Sequence, residues 1–373
     1  MSQSQTFPAY PLEDYLSHRE AIDAALRRTL EGGHYILGKE VTEFEKEFAA
    51  FVGVKHCIGV ANGTDSIELL LRGLGIGRGA AVAVPSQTAV ASISAIARAG
   101  ARPVFVDVDP ETFTITPAGL EAALGSVHGK EIRAMLAVHL YGHPADLEGL
   151  GKVCEKHNLV LLEDCAQAHG AQLHSRHIGS IGRGSSFSFY PTKNLGAIGD
   201  GGGVCTDDDE LARTIRCLRQ YGWRERYISD IEGVNSRLDE MQAAILRIKL
   251  PSLAAANEKR RSLAALYARE LAGLPVKVPV VKPGCQHVYH LYVIRTPRRD
   301  ELLKHLLAKG IPAGLHYPAA VHQQPAYFTT AKESPALPET DALVKEILSL
   351  PLHPFLPEEA VRVTGEAIRA FFR

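Results

Sequence analysis

The sequence predicts an α/β fold: a mainly parallel sheet covered on both faces by helices, followed by a smaller α+β unit. Three observations predict it. From Cys57 onward, short apolar runs alternate with helical patterns. The runs are nearly continuous in apolar character, as expected for strands buried on both faces. After residue 250 the composition shifts toward short β-like segments and proline-rich turns.

Taken in order, residues 12–31 place Ile22, Leu26 and Leu30 near helical spacing and end at Gly32-Gly33. Val41 to Val52 forms a second amphipathic pattern, with Phe44, Phe48 and Phe51 on one face as core. Strands are expected at 57–61, 80–84, 103–107, 133–139 and 158–164. Helices are expected at 64–73, 88–99, 117–124 and 146–156. Residues 238–272 read as a long helix broken or kinked at Pro251. Beyond it come strands at 276–281 and 288–296 and a helix at 299–309. Pro312, Pro318, Pro325, Pro335 and Pro338 mark a loop-rich stretch able to close over a site. The domains are therefore expected to be 1–250 and 251–373.

A length of 373 residues, 46% hydrophobic and 22% charged, is ordinary for a soluble globular protein. The net charge of −1 gives no reason to expect nucleic acid or an anionic membrane as partner. No two of Cys57, Cys154, Cys165, Cys205, Cys217 and Cys285 stand in C-x-x-C spacing, so no metal motif is expected. The polar segment Met1–Pro11 lacks a signal-peptide core, and no apolar stretch approaches the roughly 20 residues that span a bilayer. The expected location is cytoplasmic.

The chemistry gathers at strand ends. Asp164 closes the apolar run Val160-Leu161-Leu162-Glu163, where an unpaired carboxylate is costly. It is either a helix cap, an ordinary ion pair, or the partner of a protonated ring nitrogen. Lys193 lies in Ser186–Gly203, after an alternation of serine and aromatic residues and before five glycines. Most lysines are surface charges. This one sits where the backbone passes close to a ligand, as a lysine that forms a Schiff base with an aldehyde requires. Together the two residues read as a pyridoxal 5'-phosphate (PLP) site. Asn62-Gly63-Thr64 joins a strand to a helix, and the free N–H groups there make an anion cup. Ser188 offers another hydroxyl, and Gln167 a donor for the cofactor's phenolate oxygen. His169 reads as a satisfied core histidine. Asn235 and Arg237 start a capped helix and are also able to reach a phosphate, in this subunit or a neighbouring one.

Long stretches of the chain resemble the DegT/DnrJ/StrS family of PLP-dependent nucleotide-sugar aminotransferases. They are Gly38–Glu45, Asn62–Asp65, Pro103–Asp109, His139–Gly142, Glu163–Ala171, Ser186–Asn194, Gly199–Gly202 and Asn235–Leu238, in that order. The resemblance implies a type I PLP-dependent transferase fold and a homodimer with active sites at the subunit interface. It implies Lys193 as the Schiff-base lysine, Asp164 as the pyridinium partner and Gln167 near the phenolate oxygen. Gly63, Thr64 and Ser188 become phosphate binders, with Asn235 reaching the phosphate from the second subunit. It implies a nucleotide-linked keto sugar as acceptor and an amino acid, L-glutamate, as donor. Lysine at 193 favours transamination over the dehydratases that carry histidine there. His316–Pro325 resembles the loop of enzymes that aminate at sugar C-3, which makes His316, Tyr317 and His322 candidate substrate contacts. One position departs from the family: Ala89 stands where an aromatic often stacks on the ring, leaving Gln87 or another residue to cover that face. The competing expectations are a PLP-fold regulator without turnover and a PLP-dependent sugar dehydratase.

Overall fold

The computed structural model describes residues 11–327 and 332–373. The polar segment expected to carry no signal peptide lies, but for Pro11, outside the described residues. Seven strands form the central sheet. Their order is His56–Val60, Gly202–Thr206, Gly184–Ser188, Val160–Asp164, Ile132–Val138, Ala81–Pro85 and Arg102–Val106. All run in one direction except Gly202–Thr206, which is antiparallel to both neighbours.

Alternation along the strands sorts their side chains into two cores. Ala81, Ala83, Val104, Val106, Met135 and Ala137 face one, with Phe44 and Phe48 of the helix Lys39–Val52. Val82, Val84, Phe105, Leu136 and Val138 face the other, with Leu69, Leu70, Ile93 and Ile96. Both sets are buried, which is why these strands read as unbroken apolar runs. The five expected strands and four expected helices of this region are present within two residues of their expected ends.

Phe48 meets Phe187 edge-on at 4.9 Å and Phe189 at 5.2 Å, while Phe44 meets Phe189 at 5.2 Å. Such contacts each add about 0.5–1.5 kcal/mol beyond their buried area. They fix the chain just before Lys193.

Three expectations are corrected. Residues 12–31 are two helices, Pro11–Ser17 and Arg19–Gly32. The break is local: Ser17 Oγ donates to the Asp14 carbonyl at 2.8 Å and His18 Nδ1 lies 3.0 Å from the same oxygen. Residues 276–281 form no strand. Pro275, Pro279 and Pro283 lack N–H groups, and only a single bridge, Lys277 to Arg295, survives. The strand expected at 288–296 shortens to Tyr292–Arg295.

The helix broken at Pro251 is present as Glu240–Lys249 and Leu253–Glu270, joined by a 3-10 turn. Beyond it, Tyr292–Arg295 pairs antiparallel with Ile347–Leu350. Helices Leu253–Glu270, Arg299–Ala308 and Glu358–Phe371 pack on that ladder around a third core of Tyr267, Tyr292, Ile294, Leu302, Leu306 and Ile368. Leu291, Val293 and Ile347 belong instead to the second core of the large sheet, so the two regions share a packed face. Among the described residues no helix is long and apolar enough to cross a membrane.

Candidate active site

A cavity of about 240 Å³ opens at the carboxyl ends of the parallel strands, where ligands of such sheets collect. It is lined by Gly63, Thr64, Asp164, Gln167, Ser188 and Lys193, among others. Six residues singled out from sequence therefore meet in one place, drawn from three separate segments.

The helix Gly63–Gly73 forms one wall. Asn62 caps it, its side chain accepting from the Asp65 N–H at 2.8 Å. The Asp65 N–H is taken by that cap and the Ser66 N–H by the Asn62 carbonyl, which leaves those of the lining residues Gly63 and Thr64 for an anion. Gly63 is there because a Cβ would come within 2.7 Å of Ser188 Cβ. Absence of a side chain lets the helix start close against the serine.

Asp164 ends its strand and is buried. Its oxygens accept from Ser92 Oγ at 2.8 Å and from the Ala166 N–H at 3.1 Å. Ser92 was not singled out from sequence. Nothing in Ala91-Ser92-Ile93 marks that serine apart from others on the same helix; only folding brings it to an acid 72 residues away.

Lys193 sits half-buried on the turn that follows Phe189. Burial brings its amine down to about 8, while Asp164 pulls in the opposite direction. The turn is held at its backbone by two side chains of the helix Glu240–Lys249. Lys249 Nζ donates to the Gly196 carbonyl at 2.9 Å, and Gln242 accepts from the Ile198 N–H at 2.9 Å.

Gln167 is anchored at both ends of its amide. Its oxygen accepts from the Tyr141 N–H at 2.7 Å, and its nitrogen donates to the Tyr317 hydroxyl at 3.1 Å. That contact sets Tyr317 behind Gln167; neither Tyr317 nor His316 is itself among the residues lining the cavity. The adjacent His316 accepts the Tyr141 hydroxyl proton on its carbonyl, and its ring meets Ser349 at 2.9 Å. Burial first, then the Lys193 charge, bring this imidazole down to about 4.

Other expected residues fall elsewhere. His322 is not brought to the cavity: its ring nitrogens meet Ser86 at 2.7 Å and Asp341 at 3.0 Å, which makes it a tie between the sheet and the helix Pro338–Glu346. Asn235 is exposed and does not line the cavity of its own chain. Gln87 is fully buried, donates to the Tyr141 hydroxyl at 3.3 Å and is not among the residues lining the cavity. Its neighbours Thr88 and Ala89 do line the cavity. His169 is a core residue, packed at 5.5 Å from Phe187 and 5.8 Å from Phe189 and held neutral by burial, but it is not the satisfied one expected, since neither ring nitrogen makes a hydrogen bond of ordinary geometry among the described residues.

A larger cavity of about 410 Å³ lies between residues 109–117 and 282–285. It lacks the cup, and its charged side chains pair with neighbours, Lys282 with Glu111 at 2.5 Å and His174 with Glu148 at 3.4 Å. Among the described residues, His139, Glu163 and Cys165 form the one close cluster of metal-competent groups. Glu163 already accepts three backbone N–H bonds and the His139 proton there.

A strand-end carboxylate, a desolvated lysine and a helix-terminal anion cup in one cavity define an aminotransferase-type site. Residues 17–369 match the model of the DegT/DnrJ/EryC1/StrS aminotransferase family, and the chain belongs to that family. It is 46% identical, over 99% of this chain and 98% of the relative, to dTDP-3-amino-3,4,6-trideoxy-alpha-D-glucose transaminase of Streptomyces venezuelae. It is 43% identical, over 97% of each chain, to a pleiotropic regulatory protein of Geobacillus stearothermophilus. Its fold is that of the PLP-dependent aminotransferases. The S. venezuelae enzyme DesV, solved in complex with a ketimine intermediate, superposes with a TM-score of 0.93 at 45% identity over 99% of both chains.

Proposed function

We propose that this enzyme uses PLP to move an amino group from L-glutamate to a nucleotide-linked keto-deoxysugar, at C-3 rather than C-4. The observation that carries the reading is the meeting of Lys193, Asp164 and the Gly63–Thr64 cup in one cavity. The 46% identity to a transaminase whose product is a 3-amino sugar supports the choice of carbon.

The residues present fit the cofactor. The N–H groups heading the helix Gly63–Gly73, with the Thr64 and Ser188 hydroxyls, suit a phosphate, and the absent Cβ of Gly63 lets Ser188 stand against the helix start. Asp164, buried and oriented by Ser92 and Ala166, is placed to hold a proton on the ring nitrogen. Gln167 Nε2 keeps a second N–H for the phenolate oxygen after its bond to Tyr317. Bound PLP supplies an electron-withdrawing ring that makes the donor's α-C–H bond acidic. The Lys193 amine, near half-neutral at about pH 8, is then the base that takes that proton and returns it on the far side of the transfer. Tyr317, bonded to the lining residue Gln167, and the adjacent His316 are assigned to the acceptor side of the site as part of this proposal.

We further propose a homodimer, with Asn235 reaching the partner's phosphate. Its exposure supports this, as do the exposed aromatics Tyr221 and Tyr227 around the hairpin that precedes it. The two-domain division near residue 250 belongs to the same proposal, supported by the separate C-terminal core.

The test is a panel of nucleotide-linked 3-keto and 4-keto sugars, each incubated with glutamate and followed by product mass and 2-oxoglutarate release. Amination of the 3-keto members is expected. Conversion of 4-keto members alone would remove the C-3 assignment. The Geobacillus relative's description favours one competing reading, a regulator that binds without turnover. In that case glutamate would leave the visible absorption of the bound cofactor unchanged.

Ser92→Ala removes a donor from the carboxylate. A hydrogen bond to a charged group is worth ~1.5 kcal/mol at the low end, so PLP affinity should fall about tenfold. Spectrophotometric titration of the stripped protein with PLP measures this, and an unchanged Kd would show that Ser92 does not support the site.

A further inference from the structure

Immediately behind Lys193, the next side chain is knotted into the protein. Asn194 Nδ2 donates to Asn257 Oδ1 at 2.8 Å and to the Val288 carbonyl at 3.2 Å. Asn257 Nδ2 donates in turn to the His169 carbonyl at 2.8 Å. With both amide protons of Asn194 so placed, its Oδ1 is an acceptor, and it lies 3.1 Å from His290 Nδ1. Nδ1 of His290 therefore carries the proton. Asn257 and His290 are each at least nine-tenths buried. Four segments are joined: the Lys193 turn, the helix Leu253–Glu270, residues 288–290 and the turn at His169.

A buried polar network of this kind is worth keeping only when every member is satisfied, and an apolar filling would stabilise as well. Its placement beside one particular residue needs another reason. His290 Nε2 makes no hydrogen bond among the described residues. Burial holds the ring neutral, and Lys193 is the charged group that bears on it most, followed by Arg260, His316 and His169.

We propose that His290 is a positioning residue for Lys193: its Nδ1–H, held on Asn194, fixes the peptide after the lysine and keeps the amine aimed at the Asp164 end of the cavity. The inference rests on the reading of Lys193 as the reactive amine. Removing the tie leaves the lysine free to swing without removing any group that touches substrate.

Two substitutions separate the nitrogens. His290→Asn places an amide N–H near the position of Nδ1, whereas His290→Gln places it near Nε2. The holoenzyme His290→Gln should lose about 10- to 100-fold in kcat, the scale of a displaced reacting group, with the KM for glutamate within about twofold. His290→Asn should recover most of the loss. A second readout needs no turnover. In the full-length protein stripped of cofactor, reductive methylation of Lys193 is followed by peptide mass spectrometry against pH. The midpoint near pH 8 should move toward that of an ordinary lysine in His290→Gln but not in His290→Asn, while the exposed Lys152 is unchanged. If His290→Gln does not fold, Asn257→Ala, which removes the acceptor for Asn194, replaces it with the same expectation. Wild-type kcat and labelling in His290→Gln, or equal losses in both variants, would overturn the proposal. Full turnover in Lys193→Ala would instead remove the reading on which it rests.

Discussion

Lys193→Ala should lower turnover by about 10²–10⁴-fold, the usual contribution of one positioned acid–base group, and leave the fold intact. The side chain is half-buried on a turn and carries no part of either sheet core. The turn keeps its shape through the Lys193 N–H bond to the Tyr190 carbonyl at 2.9 Å and through Lys249 and Gln242, none of which needs the lysine side chain. Truncation removes a desolvated amine, so stability should not fall. The expected signature is thus a near-normal melting temperature, retained PLP affinity within an order of magnitude through the phosphate cup, and lost turnover. Single-turnover assays with glutamate alone isolate the first half of the reaction, where the proton at the donor α-carbon must be moved. Wild-type rates there would mean that another base serves, and the cavity offers no second amine among its lining residues.

How much of this was readable beforehand depended on distance along the chain. Parallel strands such as Ala81–Pro85 and Ile132–Val138 were legible because both faces are buried and every position is apolar. Lys193, Asp164, Gly63, Thr64, Ser188 and Gln167 were legible because each sits in a distinctive local stretch. Gly202–Thr206 was not read as a strand. Its glycines look like a turn, yet Gly202 lacks a side chain because a Cβ would come within 2.3 Å of the Asn62 carbonyl oxygen across the sheet. Valines at 276, 278 and 280 alternate as a strand should, but Pro279 among them and Pro275 just before them lack the N–H groups a ladder needs. Ser92, Tyr141 and the Asn194–Asn257–His290 knot were invisible for another reason. Their residue types are common, and their roles depend on partners 26 to 96 residues away.

Glu163 and Asp164 are neighbours with opposite expected phenotypes. Glu163 is fully buried on the opposite side of its strand from Asp164 and accepts from the Gly179, Ile181 and Gly182 N–H groups at 2.7, 2.9 and 2.7 Å. His139 Nδ1 accepts from the Ala145 N–H at 2.9 Å, so its proton is on Nε2, which lies 3.2 Å from the Glu163 carboxylate. Burial alone would push this carboxyl up; the His139 and backbone donors outweigh it and hold it below the ordinary glutamate value. Glu163→Ala strands those donors and should cost roughly 3–5 kcal/mol, as when a buried partner is removed, read as a lowered urea midpoint. A folded-state value below the unfolded one means that the stabilisation is complete above about pH 4.3 and disappears as pH falls through the lower folded value. The gap in midpoint between wild type and variant should therefore close in acid. Asp164→Asn, by contrast, retains an oxygen for Ser92 or Ala166 but loses the charge that holds a ring proton. It should keep a near-normal urea midpoint and lose at least about 10²-fold in kcat, the scale of one preorganised electrostatic contact. A stability loss in Asp164→Asn equal to that of Glu163→Ala, with turnover preserved, would make the pair structural throughout and leave the cavity without its electrostatic anchor.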